Sequence, residues 1–265
     1  MPATKFPNAA RAKLEAGKLS IGVSIKLART VEIAKMMKTS GFDWLFIDLE
    51  HSTMSLDTAA QISVAALDVG ITPIPRVPFG QYSMATRLLD NGALGIVIPH
   101  VDTADQAREI VDQLRYPPIG NRSISSKMAQ FDFKSVKPAE LMGTLNDTNI
   151  IVAMIETVEA VENIEAIAAV PGIDVLMIGA NDLTVSLGIA ADYGNEKLQD
   201  AARKMVAACK RNGKWPGIAG LAGDEHWALY VSLGAQFLQC GADFGFLMAA
   251  GTRQTSYLNG LPAAL

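Results

Sequence analysis

The sequence predicts an α/β chain folded as a single closed (β/α)8 (TIM) barrel spanning residues 1–265. Three observations carry that expectation. Eight short apolar runs rich in Ile, Val, Leu and Phe recur along the chain, and longer amphipathic segments separate them. The length of 265 residues suits one closed α/β barrel without a second domain. Alternation of this kind marks βα units around a parallel sheet.

In chain order the runs are Ser20 to Ile25, Trp44 to Asp48, Pro73 to Arg76, Gly95 to Ile98, Ile150 to Ile155, Val175 to Ile178, Gly217 to Gly220 and Gln236 to Cys240. Their hydrophobicity is nearly continuous, which fits strands covered on both faces. Between them Arg29 to Thr39, Thr103 to Leu114 and Val158 to Ala169 place Ala, Ile, Leu and Val at three- and four-residue spacing, the pattern of outer helices with one apolar face. Thr103 and Thr157 stand where a side-chain oxygen can meet the unpaired N–H groups of a helix start, and Pro171-Gly172 is a stop signal. Only the segment 116–149 breaks the rhythm. Its Pro117, Pro118, Gly120 and Ser-rich run, followed by a further helical pattern, read as an inserted loop and extra helix on the catalytic side. A doubly wound open sheet is the alternative that strand counting leaves open.

Composition narrows the function classes. With 49% hydrophobic and 19% charged residues the chain can bury a large core. A formal net charge of −4 offers no footprint for nucleic acid. No apolar stretch is long enough for a membrane span and the N-terminus has no signal-like apolar region, so a cytoplasmic protein is expected. Cys209 and Cys240 lie in apolar text outside any metal-ligand spacing and read as buried, reduced thiols.

Chemistry in a closed α/β barrel belongs just past the C-terminal ends of the strands. Asp48, Glu50 and His51 follow WLFI, Arg76 closes PIPR, Glu156 closes IIVAMI, and Asn181 and Asp182 follow VLMIGA, so four strands deliver ionisable groups to one rim. Glu156 and Asp182, with no His or Cys at ligand spacing, suit a hard divalent cation such as Mg²⁺ or Mn²⁺ with open positions for substrate oxygens. The competing reading makes each an acid at a helix N-terminus. Arg76 suits a carboxylate or an oxyanion, with a structural salt bridge to Glu50 as the alternative. His51 lies three residues after Asp48, and an Asp–His pair serves proton transfer. His100, also past a strand, reads as rim or core. The stretches 217–223 and 240–245 are rich in glycine where barrels bind phosphate, but neither carries a P-loop ending. No strand-like run ends in lysine, so a Schiff base is not called for.

The fragments FIDLEHS, PIPRVP, LLDNGALGIVIPHVDT, RYPPIGNRS, MIET and IGANDLTVSLG, in that order over about residues 20–250, resemble the HpcH/HpaI family of metal-dependent pyruvate aldolases. The resemblance implies a (β/α)8 barrel that assembles as a hexamer, a trimer of dimers with helices exchanged between subunits. It implies that Glu156 and Asp182 ligate Mg²⁺, Mn²⁺ or a similar ion such as Co²⁺. Arg76 would bind the C2 oxygen of pyruvate and stabilise its enolate. His51, oriented by Asp48, would be the general base, acting through a water. Backbone N–H groups around Gly179, Ala180, Asn181 and Asp182 would hold the pyruvate carboxylate. Asp90 would approach a neighbouring subunit's site. The implied reaction splits a 4-hydroxy-2-oxo acid into pyruvate and an aldehyde. Departures from the common pattern fall at Met154, at Asn181 and after His51, near the substrate. Oxaloacetate decarboxylation through the same enolate is the second reading. A lyase acting on acyl-CoA thioesters and a barrel subunit without chemistry are more remote.

Overall fold

The computed structural model describes residues 7–262. Its strands are β1 (Ser20–Ile25), β2 (Trp44–Ile47), β3 (Thr72–Pro73), β4 (Gly95–Ile98), β5 (Ile150–Ile155), β6 (Val175–Gly179), β7 (Trp215–Ala219) and β8 (Phe237–Ala242). They form one parallel sheet in the order β3-β2-β1-β8-β7-β6-β5-β4. The free edges meet through Leu94 N–H to the Pro73 carbonyl (2.9 Å), Val97 N–H to that of Pro75 (2.9 Å) and Val77 N–H to that of Val97 (3.3 Å). The sheet therefore curls into the barrel the sequence predicts. β3 is shorter than the run Pro73 to Arg76, because Pro73 and Pro75 lack the N–H a regular ladder needs.

Inside the barrel, Trp44 stacks on Phe237 with ring centroids 4.1 Å apart and planes 11° from parallel. Gly22 makes room for it, since a Cβ there would lie 2.1 Å from the Trp44 ring. Phe46, Val97, Val152 and Met177 continue this inner core. The N-terminal helix Ala9–Glu15 adds Ala10 and Leu14 to it from below. Asn8 fixes that helix by donating to the carbonyls of Leu94 (3.1 Å) and Thr148 (2.9 Å). A second apolar layer, including Ile25, Ile47, Ile62, Ile110, Ile155 and Leu183, lies between strands and outer helices.

Four expectations need adjustment. The predicted helix Arg29 to Thr39 begins at Glu32, and Val158 to Ala169 divides into Val158–Glu162 and Ile164–Ala168 at Asn163, whose side chain turns away to donate to the Asp102 carbonyl. Cys209 is buried as expected, but Cys240 is only half-buried at the end of β8. The insertion at 116–149, with a 3-10 turn Ala129–Phe131 and a helix Pro138–Thr148, lies on the N-terminal face and not on the catalytic side. It joins the end of helix Ala104–Leu114 to the start of β5, so the topology places it there. Gln130 donates to the carbonyls of Leu89 and Ala93, just before β4, and Arg115 donates to those of Asn146, Asn149 and Gly172.

The C-terminal helix Asp243–Asn259 has no buried residue and shows Phe246, Leu247, Met248 and Tyr257 to solvent. Among the described residues, no helix is long and apolar enough to cross a membrane.

Candidate active site

The loops past β1, β2, β5, β6, β7 and β8 surround a cavity of about 280 Å³, lined among others by Lys26, His51, Arg76, Met154, Glu156 and Asp182. Arg76 is its anchor. An isolated bridge pairs the Arg76 backbone with Asp48 on one side and Val97 on the other, which fixes where the side chain starts. Its guanidinium lies over the Phe46 ring at 4.9 Å and donates from Nε to Asp48 Oδ1 (3.0 Å) and from Nη2 to Oδ2 (2.7 Å). Nη1 forms an ion pair with Glu50 Oε2 at 3.0 Å. Both readings of Arg76 are therefore combined in one residue: it is salt-bridged, and it faces the cavity.

Asp48 is fully buried. Burial works against its charge, but the hydrogen bonds and charge of Arg76, the His51 backbone N–H and Lys26 outweigh it and hold the carboxyl at about 2. The expected Asp48–His51 side-chain pair does not form. Asp48 Oδ1 accepts the backbone N–H groups of Glu50 (3.0 Å) and His51 (3.2 Å), and its remaining capacity goes to Arg76. A separation of three residues closes a turn around the carboxylate, which leaves the imidazole outside at the rim. There His51 is exposed, with Nε2 at 3.8 Å from Glu50 Oε2.

Glu156 is buried at the end of β5. Burial raises its pKa, the His100 N–H at 2.8 Å opposes that, and the charge of Asp182 raises it further. Asp182 sits in the first turn of the short helix Ala180–Ser186, exposed toward the cavity. Gly179 is the cradle, because a Cβ there would stand 2.5 Å from Glu156 Oε1. Asn181 accepts from the Tyr193 hydroxyl at 2.6 Å, and buried Met154 contributes apolar wall.

Asp90 does not join this group. It ends helix Tyr82–Asp90 on the opposite face of the barrel, where buried Arg122 donates to it at 2.6 Å.

Sequence reasoning placed His100 at the rim or core without its contact to Glu156, and missed Lys26 and Gln239. His100, at φ +52°, turns its N–H onto Glu156 and holds Nδ1 3.3 Å from the same oxygen, a left-handed backbone that no local motif announces. Lys26 follows β1 directly, and the strand-end rule that found Arg76 also reaches it. Gln239 enters from inside β8, where only the barrel geometry shows which residues face inward.

Two carboxylates near each other, one with a pKa raised by burial, suit a divalent cation that completes its coordination with substrate and water oxygens. Among the described residues no cluster of three or more His, Cys, Asp or Glu forms a closed metal cage. An open site of this kind is the type that binds substrate rather than structure.

Residues 26–250 match the model of the HpcH/HpaI aldolase/citrate lyase family. The chain is 39% identical over 249 residues to 4-hydroxy-4-methyl-2-oxoglutarate aldolase tasA of Hapsidospora irregularis, covering 91% of each chain. It is 32% identical over 243 residues to 4-hydroxy-2-oxo-heptane-1,7-dioate aldolase of Escherichia coli, covering 92% of each. The crystal structure of an HpcH/HpaI aldolase from Desulfitobacterium hafniense DCB-2 superposes with a TM-score of 0.90 at 32% identity, over 96% of this chain and 97% of that one. The chain belongs to the HpcH/HpaI aldolase/citrate lyase family and is a carbon–carbon lyase.

Proposed function

We propose that this protein cleaves, and in reverse forms, 4-hydroxy-2-oxo acids by breaking the C3–C4 bond to give pyruvate and a carbonyl compound. The observation that carries the reading is the convergence on one cavity of Arg76, locked by Asp48 and Glu50, with the carboxylates of Glu156 and Asp182.

Glu156 and Asp182 would hold a divalent ion, Mg²⁺, Mn²⁺ or Co²⁺. The bound ion would act as a Lewis acid toward a 2-oxo acid. The chain's own residues supply the rest. Arg76, held rigid by its carboxylate partners, presents its remaining N–H donors to the C2 oxygen as negative charge develops there. Backbone N–H groups along Gly179, Ala180, Asn181 and Asp182 receive the pyruvate carboxylate. His51, exposed at the rim beside Glu50, takes the C4 hydroxyl proton through a water. The C3–C4 electron pair passes into the enolate of the pyruvate half, and a proton returned to C3 releases pyruvate. Met154 borders the carbonyl product.

A homo-oligomer fits two features. The C-terminal helix leaves Leu247, Met248 and Tyr257 exposed and without cover among the described residues, and Asp90 sits on the opposite face of the barrel from the site. A hexamer built as a trimer of dimers, with that helix lying on a neighbour and Asp90 approaching the neighbour's site, would use both. Unpaired Cys209 and Cys240 fit a cytoplasmic location.

The test is pyruvate release from a 4-hydroxy-2-oxo acid, coupled to lactate dehydrogenase, before and after EDTA and with Mg²⁺ or Mn²⁺ restored. The expected result is activity lost to chelation, recovered with the ion, and reduced at least about 1,000-fold in Glu156→Ala. Activity indifferent to chelation contradicts the reading. Release of pyruvate from oxaloacetate alone would assign the site to decarboxylation.

A further inference from the structure

Lys26 stands on the cavity wall with no role in the reaction just described. Its loop is built to hold it still. The Asp243 carboxylate accepts the backbone N–H groups of Lys26 (3.1 Å), Leu27 (2.9 Å) and Ala28 (2.7 Å). From the other side, Arg29 Nη1 donates to the carbonyls of Lys26 (2.8 Å), Leu27 (2.8 Å) and Ala28 (3.2 Å). A loop whose N–H and C=O groups are both taken up places its side chain on a rigid base.

The ammonium itself is under-used. Its contact among the described residues is an ion pair with Asp48 Oδ2 at 3.2 Å, without an aligned hydrogen bond, and its side chain is 30% exposed. Asp48 is already occupied by Arg76 and by two backbone N–H groups. An ammonium carries three donors and no acceptor, so beside its pairing with Asp48 at least two remain available to a ligand oxygen.

The mouth otherwise repels a second negative group on the substrate. Glu156 and Asp182 line it, and Asp48 and Glu50 stand behind it, paired with Arg76. A substrate carboxylate beyond the pyruvate half needs a cation of its own. Lys26 is near the reacting centre as well, because its Nζ and Arg76 Nη2 reach the same oxygen, Asp48 Oδ2, at 3.2 and 2.7 Å. An ammonium beside the guanidinium that faces C2 suits a carboxylate borne on C4 itself, not one at the end of a longer tail.

We infer that Lys26 recognises a carboxylate on C4 of the substrate, so that the carbonyl partner released with pyruvate is a 2-oxo acid. The inference rests on the aldolase reading and specifies the half of the pocket which that reading leaves open. The reaction balances without a further reactant: cleavage of 4-hydroxy-4-methyl-2-oxoglutarate yields two molecules of pyruvate, the C4 hydroxyl proton leaving and a proton returning to C3.

The experiment compares kcat/KM, with Mn²⁺ present, for 4-hydroxy-2-oxoglutarate and for 4-hydroxy-2-oxopentanoate, which has a methyl group in place of the second carboxylate. The wild type should prefer the dicarboxylate at least about tenfold. Lys26→Met should reduce that preference about 10- to 100-fold, chiefly through KM, as expected for removing a charged hydrogen-bond donor. Lys26→Arg should keep most of it. A parallel fall for both substrates in Lys26→Met, with the preference intact, overturns the inference and leaves Lys26 as a positioning residue for Asp48 and Arg76. A wild type that prefers 4-hydroxy-2-oxoheptanedioate through the same lysine overturns the placement on C4. A wild type that cleaves none of these acids removes the aldolase reading, and the inference with it.

Discussion

The two ends of the barrel use the same residue types in opposite ways. On the N-terminal face, Arg115 is buried and saturated: it donates to the carbonyls of Gly172 (3.0 and 2.9 Å), Asn146 (2.7 Å) and Asn149 (3.3 Å) and pairs with Asp174. At the C-terminal mouth, Arg76 is equally buried but faces a cavity, and around it stand an exposed Asp182, a Glu156 whose pKa burial raises and a Lys26 with spare donors. Saturated ion pairs fix structure, whereas incompletely satisfied ones are the means of binding. A buried charged network therefore does not announce a site; its unused capacity does.

The largest effect that would break this comparison is on stability at the closed end. Arg115→Ala should cost about 3 kcal/mol in urea unfolding, because it strands several loop carbonyls and leaves Asp174 with Arg11 as its remaining arginine partner. The surviving folded protein should keep wild-type kcat/KM. A loss of kcat/KM without a loss of stability would mean that the two ends are not separate in role.

Next comes a pH effect at the mouth. The folded-state pKa of Asp48, about 2, lies below its ordinary value of 3.8. The stability this carboxylate supplies is thus complete above about pH 4 and is lost as pH falls toward 2. Urea unfolding of the wild type and of Asp48→Asn should differ most near pH 5, and the gap should shrink by about 2 kcal/mol by pH 2. A gap independent of pH would show that Asp48 acts through packing alone.

How much of this was legible in the residues alone differs between the ends. Gly95 to Ile98 and Ile150 to Ile155 are strands with the bounds their apolar runs predict, because a strand buried on both faces has no reason to carry a polar residue. The strand-end rule placed Arg76, Glu156 and Asp182 on the rim, since it depends only on where a run stops. It fails where tertiary contacts decide. The segment 116–149 looked functional from its prolines and serines, yet its position after a helix and before β5 assigns it to the N-terminal face. Asp48 serves Arg76 and not the His51 ring, because the partner lies 28 residues away and enters from the neighbouring strand. His100 and Lys26 needed the structure as well, one for its left-handed backbone and the other for the wall it faces.

The smallest of the expected effects sharpens the contrast further. Burial and Asp182 raise the pKa of Glu156, so its charge opposes folding above its ordinary titration range. Glu156→Gln in metal-free buffer at pH 7 should raise Tm by roughly 2 °C. Mn²⁺ should then raise the Tm of the wild type and not that of the variant. A variant less stable than the wild type in metal-free buffer would make Glu156 a structural acid.

The most direct measurement of the central claim needs no aldehyde and no cleavage: exchange of the pyruvate methyl protons in D₂O, followed by NMR. If Arg76, Glu156 and Asp182 form a site that stabilises the enolate, the wild type should incorporate deuterium with Mg²⁺ or Mn²⁺ present. The exchange should stop with EDTA and be lost in Glu156→Gln and Arg76→Ala. Exchange that persists through chelation and in both variants, or that never occurs with metal present, would contradict the account.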